Sequence, residues 1–215
     1  MNFASKNILF DFDGTIVHSE QLVITLYNEL ADGKKFKKID VEDVERLRSY
    51  SLIEKCKMIG IPLYKIPKMF VEAKKIYKDH VSSLVLKDGV LDLLRDLKNK
   101  GFRMDILSSN DEDIISEFVK SKNIDVFDHI YSSNNLFGKH HAIKSYIKKH
   151  DLSADSIWYI GDEVRDIVSC KKANVKVIAA AWGYDSEQIL AEEKPDFLVR
   201  KPHEVLDIVC SSRAV

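Results

Sequence analysis

The sequence predicts an α/β fold: a doubly wound parallel sheet whose first strand is followed by a helical insertion. The first observation is a short run, residues 7–10, that has the apolar character of a buried parallel strand. The second is the alternation of strands with helices of about ten residues from residue 88 onward. The third is the region between them, residues 19–84, where helical spacing recurs without a strand pattern.

Composition describes an ordinary globular chain. The 215 residues are 45% hydrophobic and 31% charged, with a formal net charge of −1. This balance gives no electrostatic reason to expect nucleic acid or an anionic membrane as a partner. The cysteines are odd in number, scattered and without metal-ligand spacing: Cys56, Cys170 and Cys210. We therefore expect them to be reduced thiols. With no signal-peptide pattern and no apolar stretch near the ~18 residues of a spanning helix, we expect a cytoplasmic protein.

The insertion is predicted to consist of helices joined by loops. Apolar residues at helical spacing predict helices over 19–31, 41–48, 52–59 and 67–84. Pro67 suits the first turn of the last helix, where its missing N–H is not needed. The basic run at residues 34–38 is expected to be a solvated loop, with contact to an anionic substrate or partner as the alternative.

Strands and helices alternate through the rest of the chain. Helices are predicted over 90–100, 111–122, 140–150, 164–173, 186–191 and 204–210. Strands are predicted over 102–107, 127–131, 157–160, 175–180 and 197–199. This alternation favours a parallel sheet with helices on both faces.

The first strand ends in two carboxylates, Asp11 and Asp13, followed by Gly14 and Thr15. Open α/β sheets place their ligands at the carboxyl ends of strands. Neighbouring carboxylates repel one another, and a Mg²⁺ ion bound with water and a substrate phosphate would relieve the repulsion. Gly14 permits close approach of the backbone to a ligand, and Thr15 offers a hydroxyl. A solvated acidic turn is the alternative for the two aspartates alone.

Three further strand ends carry polar groups. Ser108 follows an apolar strand, with the amides of Ser109 and Asn110 beside it, and such groups suit a phosphate oxygen. A helix cap is the alternative for Ser108. Lys139 opens a helix against the helix dipole, which indicates an anionic partner. An ordinary surface lysine is the alternative for Lys139 alone.

The fourth strand end is an acidic segment, Gly161 to Asp166. Asp162 and Asp166 are four residues apart, so we expect them on one face of the first helical turn. Two like charges there are unfavourable unless a cation or a lysine bridges them. A helix N-terminus that is simply rich in acidic residues is the alternative.

Taken in order, Asp-x-Asp-Gly-Thr, the strand-end serine, the lysine and Gly-Asp-x-x-x-Asp resemble the haloacid dehalogenase-like hydrolase superfamily. The resemblance implies a Rossmann-like core formed by residues 1–16 and 87–215. It also implies an α-helical C1 cap domain formed by residues 17–86. The run from Ile157 to Tyr184 resembles the branch that includes phosphoglycolate-phosphatase-like proteins.

The resemblance implies a role for each residue of the first motif. Asp11 would be the nucleophile that forms an aspartyl-phosphate, and Asp13 the general acid and base, which requires a raised pKa. Mg²⁺ would be held by the Asp11 and Asp162 carboxylates and by the backbone carbonyl of Asp13. Gly14 and Thr15 would lie against the substrate.

The remaining motifs would bind the phosphoryl group. Ser108 and Lys139 would bind the oxygens that are not transferred, beside Ser109 and Asn110. Asp166 would orient water on the metal or hold Lys139.

The implied function is a Mg²⁺-dependent phosphatase of a small phosphorylated metabolite, phosphoglycolate-like or a sugar phosphate. A phosphomutase or pyrophosphatase with the same motifs is the first alternative, and a non-catalytic binding or regulatory protein is the second. His18 stands where many members of the superfamily carry aspartate. It is expected in the hinge of the cap, with contact to the substrate as the alternative.

Overall fold

The computed structural model of the protein describes residues 7–32, 34, 36–133 and 136–211. Within these residues the strands are β1 Asn7–Phe10, β2 Val17–His18, β3 Val85–Leu86, β4 Arg103–Ser108, β5 His129–Ser132, β6 Ile157–Gly161, β7 Lys176–Ala180 and β8 Phe197–Val199. Six of them form one sheet in the order β5-β4-β1-β6-β7-β8, and every neighbouring pair is parallel. The chain thus winds outward from β1 on one side and then on the other, which confirms the predicted doubly wound sheet.

The helices of the described residues are α1 Glu20–Ala31, α2 Val41–Leu47, α3 Leu52–Met58, α4 Ile66–His80, α5 Val90–Asn99, α6 Glu112–Ser121, α7 Lys139–Lys149, α8 Val164–Ala173, α9 Glu187–Glu192 and α10 Pro202–Ser211. They match the predicted helices to within a few residues, and Pro67 does lie in the first turn of α4. In the described part of the chain, no helix combines the length and the apolar character needed to cross a membrane.

The two faces of the sheet are buried by different helices, which explains the apolar character of β1. Ile8 and Phe10 point into a cluster formed with α5, α6 and α10. Leu9 points the other way, into a cluster formed with α7, α8 and α9. Successive side chains of a strand alternate between faces, so a strand covered on both faces carries consecutive apolar residues, as Ile8 to Phe10 do here.

Helices α1–α4, called the cap helices below, carry a third apolar cluster of their own that includes Cys56, Ile61 and Met69. In the described residues between 19 and 84 there is no strand, as predicted. The predictions missed the antiparallel pair of β2 and β3, which joins the two ends of this segment. A strand of two residues is too short to show an alternating pattern. His18 lies in β2 with its side chain exposed.

Polar contacts hold the cap helices against the carboxyl-terminal edge of the sheet. They join Lys55 Nζ to Asp185 Oδ1 at 2.5 Å, Lys74 Nζ to Asp111 Oδ1 at 2.5 Å, and the Ser186 amide to the Arg48 carbonyl at 2.8 Å. Because these contacts come from α3, α4 and the residue that follows α2, the segment is tied to the sheet at several points along its length.

The basic run at residues 34–38 forms ion pairs with neighbouring carboxylates at the surface. Lys34 lies 2.6 Å from Glu72, Lys37 lies 2.9 Å from Asp43 and Lys38 lies 2.7 Å from Asp32. Lys35 is outside the described residues. These partly exposed pairs agree with the solvated loop that was predicted.

Candidate active site

The sheet order brings the predicted motifs together. β4, β1 and β6 are adjacent, and each ends at the same edge of the sheet. Asp11 follows β1, Ser108 is the last residue of β4, and Asp162 follows β6. Ser108 was predicted to lie just beyond its strand, but its backbone still pairs with Ser132 of β5. A polar side chain does not interrupt a ladder formed by backbone groups.

The turn after β1 depends on a glycine. Gly14 has a φ of +77°, and a Cβ atom there would clash with the Asp162 carboxylate and the Tyr184 ring. Residues with a side chain rarely adopt this backbone conformation, and Asp162 and Tyr184 already fill the space that a side chain would need. The turn places the Thr15 hydroxyl 2.6 Å from Asp162 Oδ1, to which it donates a hydrogen bond. Thr15 therefore fixes a predicted metal ligand through its side chain.

Lys139 forms a buried bridge between two carboxylates. Its Nζ lies 2.8 Å from Asp11 Oδ2 and 2.5 Å from Asp166 Oδ1, and all three side chains are buried. Burial lowers the pKa of Lys139, but the charges of Asp11 and Asp166 outweigh burial and raise it overall. Of the two roles expected for Asp166, holding the lysine is the one that appears in this geometry.

Asp162 is a buried carboxylate with both oxygens hydrogen-bonded. Besides the Thr15 hydroxyl, the Tyr184 amide donates to its Oδ2 at 2.7 Å. Burial, followed by the charges of Glu163 and Asp11, raises the pKa of Asp162 well above its usual range. A Cβ atom at Gly183 would clash with this carboxylate, so Gly183 leaves the room that Asp162 occupies.

The donor set fits a hard divalent cation. Carboxylate oxygens of Asp11, Asp162 and Asp166 lie within 4.8 Å of one another, and all three residues are buried. Oxygen donors of this kind are the ligands that Mg²⁺ prefers. A buried group of like charges also gains most from a cation, because the carboxylates otherwise repel one another.

The predicted placement of Asp162 on the first turn of α8 was wrong. α8 begins at Val164 with Glu163 as its N-cap, so Asp162 precedes the helix. The Glu163 amide donates to Asp166 Oδ2 at 3.2 Å, which turns the chain sharply between strand and helix. The two aspartates approach each other through this turn and not through helical spacing.

Asp13 is held by groups from two other segments. The Tyr77 hydroxyl donates to its Oδ1 at 2.6 Å, and the side-chain amide of Asn110 donates through Nδ2 to its Oδ2 at 3.3 Å. Burial raises the pKa of Asp13, and the charge of Asp11 raises it further, although these hydrogen bonds lower it. Asp13 therefore meets the condition set for a general acid, a carboxyl group with a raised pKa.

Tyr77 is a site residue that the sequence did not single out. It lies in α4, one of the cap helices, and is buried. Its helical spacing from Phe70 and Ala73 places it on the inner face of α4, but nothing in the sequence indicates which strand end that face meets.

The segment after β4 is fixed by hydrogen bonds within the protein. Ser108 Oγ accepts from the Asn110 amide at 3.2 Å, and Ser109 Oγ accepts from Arg165 Nη1 at 3.2 Å. Arg165 in turn donates through Nε to Glu163 at 2.7 Å. The arginine and glutamate were predicted only as part of an acidic helix start, and their pairing depends on the strand-to-helix turn.

The structure brings all the residues predicted for the site to this one edge of the sheet: Asp11, Asp13, Gly14, Thr15, Ser108, Ser109, Asn110, Lys139, Asp162 and Asp166.

Comparison with known proteins identifies the family. Residues 8–180 match the family model for haloacid dehalogenase-like hydrolases. A phosphoglycolate phosphatase of Synechococcus elongatus is 27% identical over 203 residues, which cover 94% of this chain and 96% of that protein. Pyrophosphatase PpaX of Bacillus cereus is 23% identical, with 95% of this chain and 96% of that protein covered.

Solved structures share the fold. A haloacid dehalogenase-like family hydrolase from Streptococcus pneumoniae superimposes with a TM-score of 0.79 at 22% identity, covering 95% of this chain and 98% of that one. A predicted phosphoglycolate phosphatase from Haemophilus somnus gives a TM-score of 0.73 at 18% identity, covering 97% of this chain and 99% of that one. The predicted family and fold are both confirmed, and the chain belongs to the haloacid dehalogenase-like hydrolases.

Proposed function

We propose that the protein is a Mg²⁺-dependent phosphatase that hydrolyses a small phosphomonoester through an aspartyl-phosphate. The observation that carries the proposal is the pairing of two unlike carboxyl groups, Asp11 and Asp13. Asp11 contacts the buried Lys139 cation, whereas Asp13 is held by Tyr77 and has a raised pKa. The names of the relatives from Synechococcus elongatus and Bacillus cereus support phosphate chemistry.

In the first half of the reaction, a carboxylate oxygen of Asp11 attacks phosphorus. The bond between phosphorus and the leaving oxygen breaks, and Asp13 gives its proton to that oxygen. In the second half, Asp13 takes a proton from a water molecule whose oxygen attacks the same phosphorus. The bond to Asp11 then breaks, and inorganic phosphate leaves.

Positive charge and hydrogen-bond donors offset the charge of the phosphoryl group. Lys139 lies beside the Asp11 oxygen and reduces the repulsion between two anions. We assign Ser108 and Lys139 to the oxygens that are not transferred, with Ser109 and Asn110 alongside. Gly14 is assigned to close approach of the backbone to the substrate.

The Asp11 and Asp162 carboxylates and the backbone carbonyl of Asp13 would hold Mg²⁺. The ion would supply charge neutralisation and orientation of the phosphoryl group. Thr15 and the Tyr184 amide keep the Asp162 carboxylate in place. Asp166 keeps Lys139 in place, so two different groups set the positions of the metal ligand and the lysine.

We further propose that residues 17–86 act as a cap domain that closes over the site and excludes water. The Tyr77–Asp13 hydrogen bond supports this, because it joins a cap helix to the proposed acid. A cytoplasmic location and a small phosphorylated metabolite as the substrate stay predictions.

A pyrophosphatase is the second candidate, and the name of the Bacillus cereus relative favours it. A phosphomutase or a non-catalytic protein would share the fold, but the complete set of charged site residues argues for catalysis. The substrates separate these alternatives: a pyrophosphatase prefers pyrophosphate, and a mutase returns a rearranged sugar phosphate.

Phosphate release by the wild-type protein and by Asp11→Asn, with Mg²⁺ or EDTA, tests the proposal. The panel holds phosphoglycolate, sugar phosphates, pyrophosphate and an activated aryl phosphate. We expect Mg²⁺-dependent release that falls by orders of magnitude in Asp11→Asn. Asp113→Asn is the matched control, because Asp113 is an exposed carboxylate paired with Lys78. Equal activity of wild type and Asp11→Asn would remove Asp11 from the mechanism.

A further inference from the structure

A cavity of about 520 Å³ extends from the proposed acid into the cap helices. Asp13, Tyr77 and Asn110 line one end of it. The rest is mostly apolar and is lined by side chains from α1, α3, α4 and the connecting segments, including Ile24, Leu52, Ile59, Ile61, Met69 and Phe70. Its volume is in the range of pockets that bind small organic ligands.

The cavity begins where the leaving group would depart. Asp13 is the group assigned to protonate the leaving oxygen, so that oxygen must lie within hydrogen-bond reach of its carboxylate. Whatever is attached to the leaving oxygen continues away from the phosphoryl group. Asp13 and the apolar side chains line the same cavity, so this cavity is the space available for the rest of the leaving group.

The basic side chains that line this cavity each contact a carboxylate, and of their nitrogen atoms Arg48 Nε is buried without a hydrogen-bond partner in the described part of the chain. Within the described residues there are four, each in contact with a carboxylate: Arg48 with Glu45 at 3.2 Å, Lys55 with Asp185 at 2.5 Å, Lys74 with Asp111 at 2.5 Å, and Arg165 Nε with Glu163 at 2.7 Å. Everywhere except at Arg48 Nε, a second anionic group on the substrate would have to compete with these carboxylates. A neutral apolar group needs no such partner and gains from leaving water.

We propose that the leaving group is a neutral, apolar alcohol, so that the preferred substrates are phosphomonoesters of aliphatic or aromatic alcohols. This inference rests on the proposed phosphatase function and concerns the substrate class of the same site. It competes with the phosphoglycolate-like and sugar phosphates predicted from the sequence and with pyrophosphate. All three are more polar than the lining of the cavity.

The test is the dependence of kcat/KM on chain length along the n-alkyl phosphates from ethyl to octyl, with phosphoglycolate and pyrophosphate alongside. The alkyl esters share nearly the same chemistry at the reacting bond, so differences report binding of the chain. Burial of each methylene group predicts a rise of about fourfold in kcat/KM until the cavity is full. Binding of the non-hydrolysable n-alkyl phosphonates to the wild-type protein, measured by calorimetry, should tighten in the same order.

A pair of variants on α4 ties the effect to the cavity. Ala73 lines it, whereas Val71 is 56% exposed and does not. Ala73→Trp should reduce the ratio of octyl to ethyl phosphate in kcat/KM, and Val71→Trp should leave the ratio unchanged. If Ala73→Trp does not fold, Ala73→Leu fills part of the same space and should reduce the ratio by a smaller factor.

The outcomes separate the inference from the proposed function. Asp11-dependent phosphate release that is flat or falling with chain length, or highest with phosphoglycolate or pyrophosphate, overturns the inference and leaves the phosphatase intact. The absence of Asp11-dependent release from every compound overturns the phosphatase. Phosphonate affinity that rises with chain length in the wild type, and rises less in Ala73→Trp, supports the apolar cavity as the binding space.

Discussion

Replacing Lys139 by methionine removes the only positive charge from a buried triad. Lys139 contacts Asp11 at 2.8 Å and Asp166 at 2.5 Å, and its side chain is 1% exposed. Methionine keeps most of the volume of the side chain but cannot neutralise either carboxylate. The variant therefore leaves Asp11 and Asp166 close together in a buried site without a cation between them.

The size of the effect follows from these distances. At an effective dielectric constant of about 20, a contact of 2.8 Å contributes about 6 kcal/mol. Taking the lysine out of water offsets much of this gain, and loss of one member of a buried ion pair costs about 3–5 kcal/mol in practice. We expect the free energy of unfolding to fall by that amount.

The loss should depend on pH. Burial raises the pKa of Asp166 to about 7, and the charge of Lys139 lowers it, so removing the lysine raises it further. An acid whose pKa is raised in the folded state contributes most to stability at low pH. Its contribution falls as the pH rises from the pKa of the unfolded state to that of the folded state. In the wild type this loss of stability ends near pH 7, the pKa of Asp166, whereas in Lys139→Met it continues up to the higher pKa of Asp166 in the variant. The destabilisation in Lys139→Met should thus be larger near pH 8.5 than near pH 5.5.

Urea unfolding in EDTA at both pH values measures this difference. Lys74→Met is the matched control, since Lys74 contacts Asp111 at 2.5 Å but Asp111 is 43% exposed. A partly exposed pair of this kind contributes about 1 kcal/mol or less. Equal losses for the two variants, or a loss in Lys139→Met that shrinks as pH rises, would refute the electrostatic argument.

Two further substitutions test the groups around the site. Gly183→Ala places a methyl group against the Asp162 carboxylate, so a Mg²⁺ titration of activity should show a requirement raised about tenfold or more, and an unchanged titration in a folded variant would contradict this. Tyr77→Phe leaves Asp13 Oδ1 without its donor. Loss of this hydrogen bond costs about 1–3 kcal/mol, which should lower kcat/KM about five- to 150-fold. Steady-state kinetics would measure this decrease. Tyr64→Phe is the control, because Tyr64 is 79% exposed, and its kcat/KM should equal that of the wild type.

The sheet and its strand ends could be predicted because each depends on short-range sequence patterns. Apolar runs marked the buried strands, and polar residues directly after them marked one edge of the sheet. Tyr77 could not be predicted as a neighbour of Asp13, since their contact spans 64 positions in the chain and depends on how α4 packs. The predicted position of Asp162 was wrong for a similar reason, because the spacing of the two aspartates in the sequence does not show where the helix begins.

The cavity and the pairing of the charged residues that line it also could not be predicted from the sequence. Apolar residues at helical spacing in the insertion predict buried helix faces, and the same pattern is found whether those faces enclose a packed core or a cavity for a ligand. The pairing of Lys55 with Asp185 joins residues 130 positions apart, so no local pattern could show that this lysine already has a partner.

The short pairing of β2 with β3 bears on how such proteins diversify. Val17 pairs with Leu86 and His18 with Val85, so the chain leaves the sheet and returns to it at neighbouring points. The cost of closing a loop grows only slowly with its length, and adjacent ends allow the intervening segment to change in size or sequence without moving β1. The helices that line the cavity can thus change while Asp11 and Asp13, the proposed reacting carboxylates, keep their positions, so related proteins can differ in substrate and share one reaction.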